Sequence, residues 1–236
     1  MALMTRCAAL AATVLCVAAP SSAAEKRFGL SSFEAIEVTA DVVVEVVNRA
    51  PVSAVATGTP AALDRLTVET RDGKLVIGQK IYAADEKRGQ PLEPVTLRIN
   101  AANLRSATLV GAGSLQIDQL KGTRVTIGLR GPGQLTVGTV ASDRLGVTMI
   151  GNGTMTLGGT AKTAQMTLSG AGVVDAGKLK VDALVSDSEG TGDHIFNAVK
   201  SAAITARGVG KTVVLGRPVC TVRNAGSGTV QCGAAK

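Results

Sequence analysis

Seven Gly-x-Gly triplets punctuate the stretch from Arg105 to Cys232 at a nearly constant interval. They are Gly111 and Gly113, Gly131 and Gly133, Gly151 and Gly153, Gly170 and Gly172, Gly190 and Gly192, Gly208 and Gly210, and Gly226 and Gly228. The steps between them are 20, 20, 19, 20, 18 and 18 residues. A period near 20 held over this length restricts the chain to repeat architectures, in which each unit buries its apolar face only against its neighbours. Aligned on the glycines, the repeats have inward slots six, four and two residues before the first Gly, and two and four after the second. Of these 35 slots, 29 hold Ala, Val, Ile, Leu, Met, Phe or Cys. Val125, Ile127, Leu129, Leu135 and Val137 fill one repeat; Leu145, Val147, Met149, Met155 and Leu157 fill the next. The alternate slots hold mostly Thr, Ser, Gln and charged residues. Period-2 alternation of this kind marks a half-buried strand on each side of every triplet. The pattern predicts an all-β fold, a single-stranded β-helix or β-solenoid stack of about seven Gly-x-Gly coils. An antiparallel meander of seven hairpins shares the local alternation, but the near-constant spacing favours stacked coils.

The glycines read as structural corners. A strand that turns sharply needs positive φ, and a stacked corner has no room for a Cβ against the coil beside it. A phosphate-cradling glycine loop would instead precede a helix and occur once. Connectors such as Leu120–Thr123 and Gly138–Asp143 are long enough to be a third side of each coil or a return turn.

Ahead of the repeats, residues 1–24 read as a cleaved export signal. Arg6 supplies the positive start, Cys7–Ala19 the short apolar run, and Ser22-Ala23-Ala24 the small-residue cleavage site. The apolar run is too short for a membrane anchor, and no other long apolar segment follows, so the mature chain is expected to carry no transmembrane segment. Residues 25–236 then form one domain, with an irregular β cap over 33–80 and the repeat ladder over 95–233. Glu25–Ser32 reads as a polar lead. Strands are expected at Phe33–Val38, Val42–Val47 and Val52–Thr57. A hairpin is expected at Asp72-Gly73, and a helical turn begins at Pro60 with Thr59 as its N-cap. Such a segment closes one end of the stack, as terminal repeats must to stop endless strand pairing. Ala83–Pro94 is a charged surface loop.

Removing the leader leaves Cys220 and Cys232, both on inward slots of the last repeat. In an oxidising compartment such a pair forms a disulfide; the alternative is two buried thiols. The full chain has a formal charge of +7, of which Arg6 leaves with the leader. The remaining charges are scattered singly. With three Phe, one Tyr and no Trp, the chain lacks the basic patches and stacking aromatics of nucleic-acid readers.

Three features together resemble the GIN domain, the head of a group of auto-transporter adhesins. They are Phe33-Glu-Ala-Ile-Glu-Val with Val42-Val-Val-Glu-Val, the segment Asp72-Gly-Lys-Leu-Val-Ile, and the run of Ser-Gly-x-Gly-like corners. Leu168-Ser-Gly-Ala-Gly and Ala225-Gly-Ser-Gly, with Gly216-Arg-Pro218 before it, are nearest to that pattern. The corners Arg130-Gly-Pro-Gly and Arg207-Gly-Val-Gly depart from it. The resemblance covers about residues 30–233. It implies a β-helix-like stack in an exported bacterial protein, periplasmic, surface-held or secreted, and offers no catalytic residues.

Chemistry, if any, concentrates in the fifth repeat. Ser186, Ser188 and His194 take inward slots that are apolar elsewhere, and Asp187, Glu189 and Asp193 lie on the outer face beside the same corner. Carboxylates and imidazole suggest a small metal site, or His194 as a base oriented by Asp193 or Asp187. Adjacent strand residues point to opposite faces, however, so Asp193 and His194 should not converge. The structural alternative has the serines hydrogen-bonded inside the coil and His194 at the core edge. Outward Thr126, Thr136, Thr148, Thr154, Thr156 and Thr167 suggest hydroxyl ladders, and Arg130 and Arg207 suggest anion contacts. A polysaccharide-active enzyme would need carboxylates and basic residues converging at one slot across adjacent repeats, and no such set is evident. The residues therefore point to a non-catalytic module without a cofactor. Its expected partners are a glycan, a cell-envelope protein or its own copies.

Overall fold

The computed structural model describes residues 24–80 and 94–234; the leader up to residue 23 and most of the Ala83–Pro94 loop lie outside the described residues. Five long strands dominate: β9 (Ser114–Arg130), β10 (Gln134–Ile150), β11 (Thr154–Gly170), β12 (Val173–Gly190) and β13 (His194–Gly208). Each is nearly a whole coil, and the triplet between two strands is the corner that starts the next. Every pairing among them is parallel, with Leu135 beside both Leu115 and Met155, which rules out the meander. The turns add up to a β-solenoid of about six. The segments read as connectors belong to the ladder itself. Val140 pairs with Leu120 and Ser142 with Gly122, so they form a third, hydrogen-bonded side. Where a coil is one residue short the ladder slips, between Val137 and Val140.

Inward slots stack into columns. Leu115, Leu135, Met155 and Val174 form one, and Ile127, Val147 and Met166 another, all nearly inaccessible to solvent. Each such side chain stabilises the fold by roughly 1.5–3 kcal/mol relative to exposure. Corners add backbone bonds between coils: Gly111 N donates to Arg130 O at 2.8 Å and Gln134 N to Gly113 O at 3.0 Å. The two glycines of a triplet have different tasks. The first takes positive φ, as at Gly151 (φ 118). The second allows close approach: a Cβ on Gly133 would lie 2.7 Å from the carbonyl oxygens of both Gly111 and Gly113. In the last two corners the first glycine is no longer in the positive-φ region, so the reading of a uniform left-handed corner holds only for the first five triplets.

The N-terminal cap is partly a hidden coil. β2 (Ala35–Val38) pairs in parallel with β8 (Ser106–Val110), and β3 (Val43–Val47) with the start of β9. Ala40-Asp41-Val42 therefore stacks under Gly111-Ala112-Gly113 as a corner without glycine, which is possible because the corner outside it leaves the space. On the other side of this layer lie β6 (Lys74–Gln79), paired with β2, and β7 (Thr96–Asn100), paired with β3. Antiparallel strands finish the end: β4 (Ser53–Gly58) on β7, β1 (Ala24–Phe28) on β4, and β5 (Leu66–Arg71) on β6. The first half of the polar lead, Glu25–Phe28, is thus a paired strand together with Ala24, an outcome its charged sequence AEKRF concealed. The Asp72-Gly73 turn has positive φ at both residues, as its hairpin requires. Helix α1 (Pro60–Arg65) begins at Thr59, whose hydroxyl accepts from Ala62 N, and it buries Ala62 and Leu63 over the core.

The C-terminal end is finished differently. β14 (Lys211–Leu215), β15 (Val219–Asn224) and β16 (Thr229–Ala234) make the last coil. All six residues of β15 are exposed. Cys220 and Cys232 form the expected disulfide, with Cα atoms 6.3 Å apart. The expectation of buried cysteines is corrected, however: Cys220 is exposed and Cys232 half-buried, because no further described coil stacks over the inward slots of the last one.

Three substitutions test this account. Gly133→Ala should destabilise the chain by about 2–4 kcal/mol in chemical denaturation. Gly146→Ala, with nothing within 4 Å of the added methyl, should be neutral or stabilising by about 0.5–1 kcal/mol. Cys220→Ser should remove about 3 kcal/mol by loop entropy. Its increase in amide exchange should be confined to β14–β16, since a stacked repeat frays from its end.

Candidate functional site

In the fifth coil, strand alternation separates the residues that composition had grouped. His194 opens β13 on the inward side, in register with Val174 and Thr212, and is 5% exposed. Its ring stacks near Phe196, with centroids 6.1 Å apart and planes at 22°. Burial pushes the imidazole from its ordinary 6.5 down to about 4, against the opposing charge of Asp193. Ser188 Oγ donates to Thr205 O at 3.4 Å. Ser186 Oγ and His194 Nδ1 are buried without a hydrogen-bond partner among the described residues. Ser188, Gly192, His194, Ala206 and Thr212 line a crevice with room for about one water molecule.

The carboxylates face outward and are engaged. Asp187 Oδ1 accepts from Arg207 Nη2 at 2.7 Å, and Asp193 Oδ1 accepts from the Lys211 amide at 2.7 Å. Arg207 is therefore a coil-to-coil ion pair, not an open anion contact. Glu189 lies beside the crevice, but Asp187, Asp193 and His194 do not turn toward one point. Among the described residues no three His, Cys, Asp or Glu side chains are placed to hold a metal ion. The hydroxyl ladders are short: Thr136 pairs with Thr156 and Thr148 with Thr167, while Thr154 sits beside Gln134 and Thr126 beside Gly146. Arg130 is exposed beside Val110 and Ile150.

A different constellation lies on the third side of the coils. Two adjoining hollows run across successive coils and share Lys121, Gly122 and Thr123. One continues over Ser142 and Thr160 to Lys180; the other reaches Asn103 and Arg124. Arg124 and Arg144 are direct neighbours in the ladder. The pair is basic only, without the converging carboxylates that a polysaccharide-active enzyme would add. The signal was present as two arginines 20 residues apart, one structural period, and was hidden by looking for runs along the chain. The same period explains the ion pairs on this face. Lys162 bonds Asp143 at 2.7 Å, and that contact and charge raise its pKa; Lys200 bonds Asp182 at 2.8 Å.

With this geometry in place, comparison with known families gives a match over residues 32–218 to the model described as "Putative auto-transporter adhesin, head GIN domain". The chain belongs to the GIN-domain family. The GIN match ends at Pro218, so β15 and β16 with their disulfide, and the Ala225-Gly-Ser-Gly corner taken above as part of the resemblance, lie beyond the matched residues. Solved structures share the GIN fold at low identity. A "putative adhesin" from Bacteroides fragilis has a TM-score of 0.77 at 21% identity, covering 89% of this chain and 96% of its own. A "putative lipid binding protein" from Parabacteroides distasonis gives 0.68 at 20%, covering 91% and 98%. A "putative adhesin" from Parabacteroides merdae gives 0.68 at 17%, covering 90% and 96%. Comparison with curated protein sequences gives no match.

His194 makes the fold acid-sensitive. Between about pH 6.5 and 4 the unfolded chain binds a proton there that the folded chain resists. The unfolding free energy should therefore fall as pH drops through that window, by about 3 kcal/mol in all, and be flat above it with respect to this group. Denaturation curves of His194→Val, which restores the aliphatic column, should lack this slope.

Proposed function

We infer that the chain works as an exported, non-catalytic binding domain that presents the outer face of its solenoid to envelope or extracellular partners. The observation that carries this reading is the separation of the fifth-coil groups. The one buried imidazole points into the core while neighbouring carboxylates are spent on coil-to-coil bonds outside, so acid, base and nucleophile do not meet. Membership of an adhesin-like family supports it, as does the description of two structural relatives as adhesins. The disulfide supports an oxidising compartment, in keeping with the leader read from the sequence. Self-association is compatible with the exposed edge of β15, which pairs with β13 along one side.

Binding of residues 25–236 to an array of glycans and envelope components, with a carbohydrate-hydrolysis panel run beside it, tests the reading. The expected result is specific capture and no turnover. Hydrolytic or lyase activity that disappears in His194→Ala would sink it.

A further inference from the structure

We propose that the third-side groove binds an acidic polysaccharide laid along the solenoid axis, with Arg124 and Arg144 as paired carboxylate contacts and Lys121 and Lys180 at the groove's sides. The proposal rests on the binding-domain reading and names its site and ligand class.

Parallel register places Arg124 and Arg144 on the same face of strands about 4.8 Å apart. Like charges directly opposed across a ladder destabilise it, and the next positions along the row, Thr163 and Ala183, bring no carboxylate. Both arginines are exposed, and neither has an ion pair among the described residues. Lys121 and Lys180 are in the same state, whereas Lys162 and Lys200 on this side are each neutralised by an aspartate. Lys121, Lys180 and Arg124 thus line the two adjoining hollows uncompensated, Asp143 and Asp182 of the lining being taken up by Lys162 and Lys200, and Arg144 stands at the rim, one ladder step from Arg124. A guanidinium binds a carboxylate through two parallel N–H donors, and a ligand carboxylate between the two arginines would turn their repulsion into attraction.

The hydroxyls narrow the ligand further. Thr123, Ser142 and Thr160 line the same hollow. Ser142 Oγ is shielded from solvent with no hydrogen-bond partner among the described residues, and an orphaned buried hydroxyl costs about 1–3 kcal/mol until it is satisfied. A polyhydroxy ligand supplies partners along the groove. Among the described residues no aromatic side chain lines either hollow, so a neutral sugar would find there no ring to stack on and a single-stranded nucleic acid no platform for its bases. Charge and hydrogen bonding remain, and they select an anionic, hydroxyl-rich polymer. Length fits as well: Lys121 and Lys180 stand in one row, three ladder steps apart, so the contacts suit a chain of several sugars better than a monosaccharide.

The test is calorimetric titration of residues 25–236 with oligogalacturonate, neutral dextran and single-stranded DNA at low and moderate salt. The variants are the double change Arg124→Gln with Arg144→Gln and, as an equal-charge control on the cap strands β1 and β5, Arg27→Gln with Arg71→Gln. The expected result is oligogalacturonate binding that weakens about tenfold or more in the groove variant, persists in the control, and is absent for dextran. The groove variant should keep or raise its melting temperature, because a repulsive pair has been removed. Absence of oligogalacturonate binding, equal losses in both variants, or DNA bound as tightly as the uronate would each overturn the proposal. If the binding array captures a partner equally well with the groove variant, the groove assignment falls and the binding-domain reading stands; a blank array with the unmodified chain overturns that reading itself.

Discussion

Close approach of backbone to backbone at the corners is the constraint on which the molecule depends. A parallel ladder fixes the spacing of neighbouring coils at about 4.8 Å, and a corner carried round that ladder must bring one peptide directly over another. Only glycine leaves the carbonyl below Gly133 and Gly153 unobstructed. Once the corners stack, register follows, and register is what turns an alternating sequence into aligned columns of buried Leu, Ile, Val and Met. A one-residue slip would turn every such column toward solvent. The first shortened coil absorbs its missing residue locally, beside Gly158 and Gly159, so that Leu135 still stacks on Met155 and Val147 on Met166.

The two ends solve the problem of an open sheet in different ways. At the N-terminal end, antiparallel strands and α1 cover the core, and Leu63 is buried in doing so. At the C-terminal end the core becomes smaller and more polar, passing from Leu168 through Ser188 to Ala206, and the final coil is held by a covalent link. Less apolar area is available there to stabilise the last turns, and the disulfide offsets part of that deficit by limiting the unfolded chain. The polar core of the fifth coil belongs to this taper. Ser186, Ser188, His194 and Thr212, the buried polar residues among those described, all lie toward this end.

How much was legible beforehand depended on whether the signal was local or periodic. The coils, the Asp72-Gly73 hairpin, the Thr59 cap and the Cys220–Cys232 pair were readable because each rests on residues near in sequence or on a repeated spacing. Strand alternation alone foretold that Asp193 and His194 would part. What escaped were pairings between distant segments. Nothing local in AEKRF announces that it will lie against β4, and Ala40-Asp41-Val42 does not resemble a corner until Gly113 is found stacked on it. The Arg124–Arg144 pair escaped for a related reason: its meaning lies in a vertical neighbour, one full coil away.

The hidden first coil carries a consequence for the order in which the chain can be assembled. Ala35 pairs on one side with Lys74 and on the other with Ser106, so β2 and β3 form an inner layer whose neighbours are both made later. From β9 onward each coil needs only the one before it, and growth there is processive. A chain emerging N-terminus first therefore holds β2 and β3 in waiting until the start of β9 has been made, and only then can the later coils add one by one.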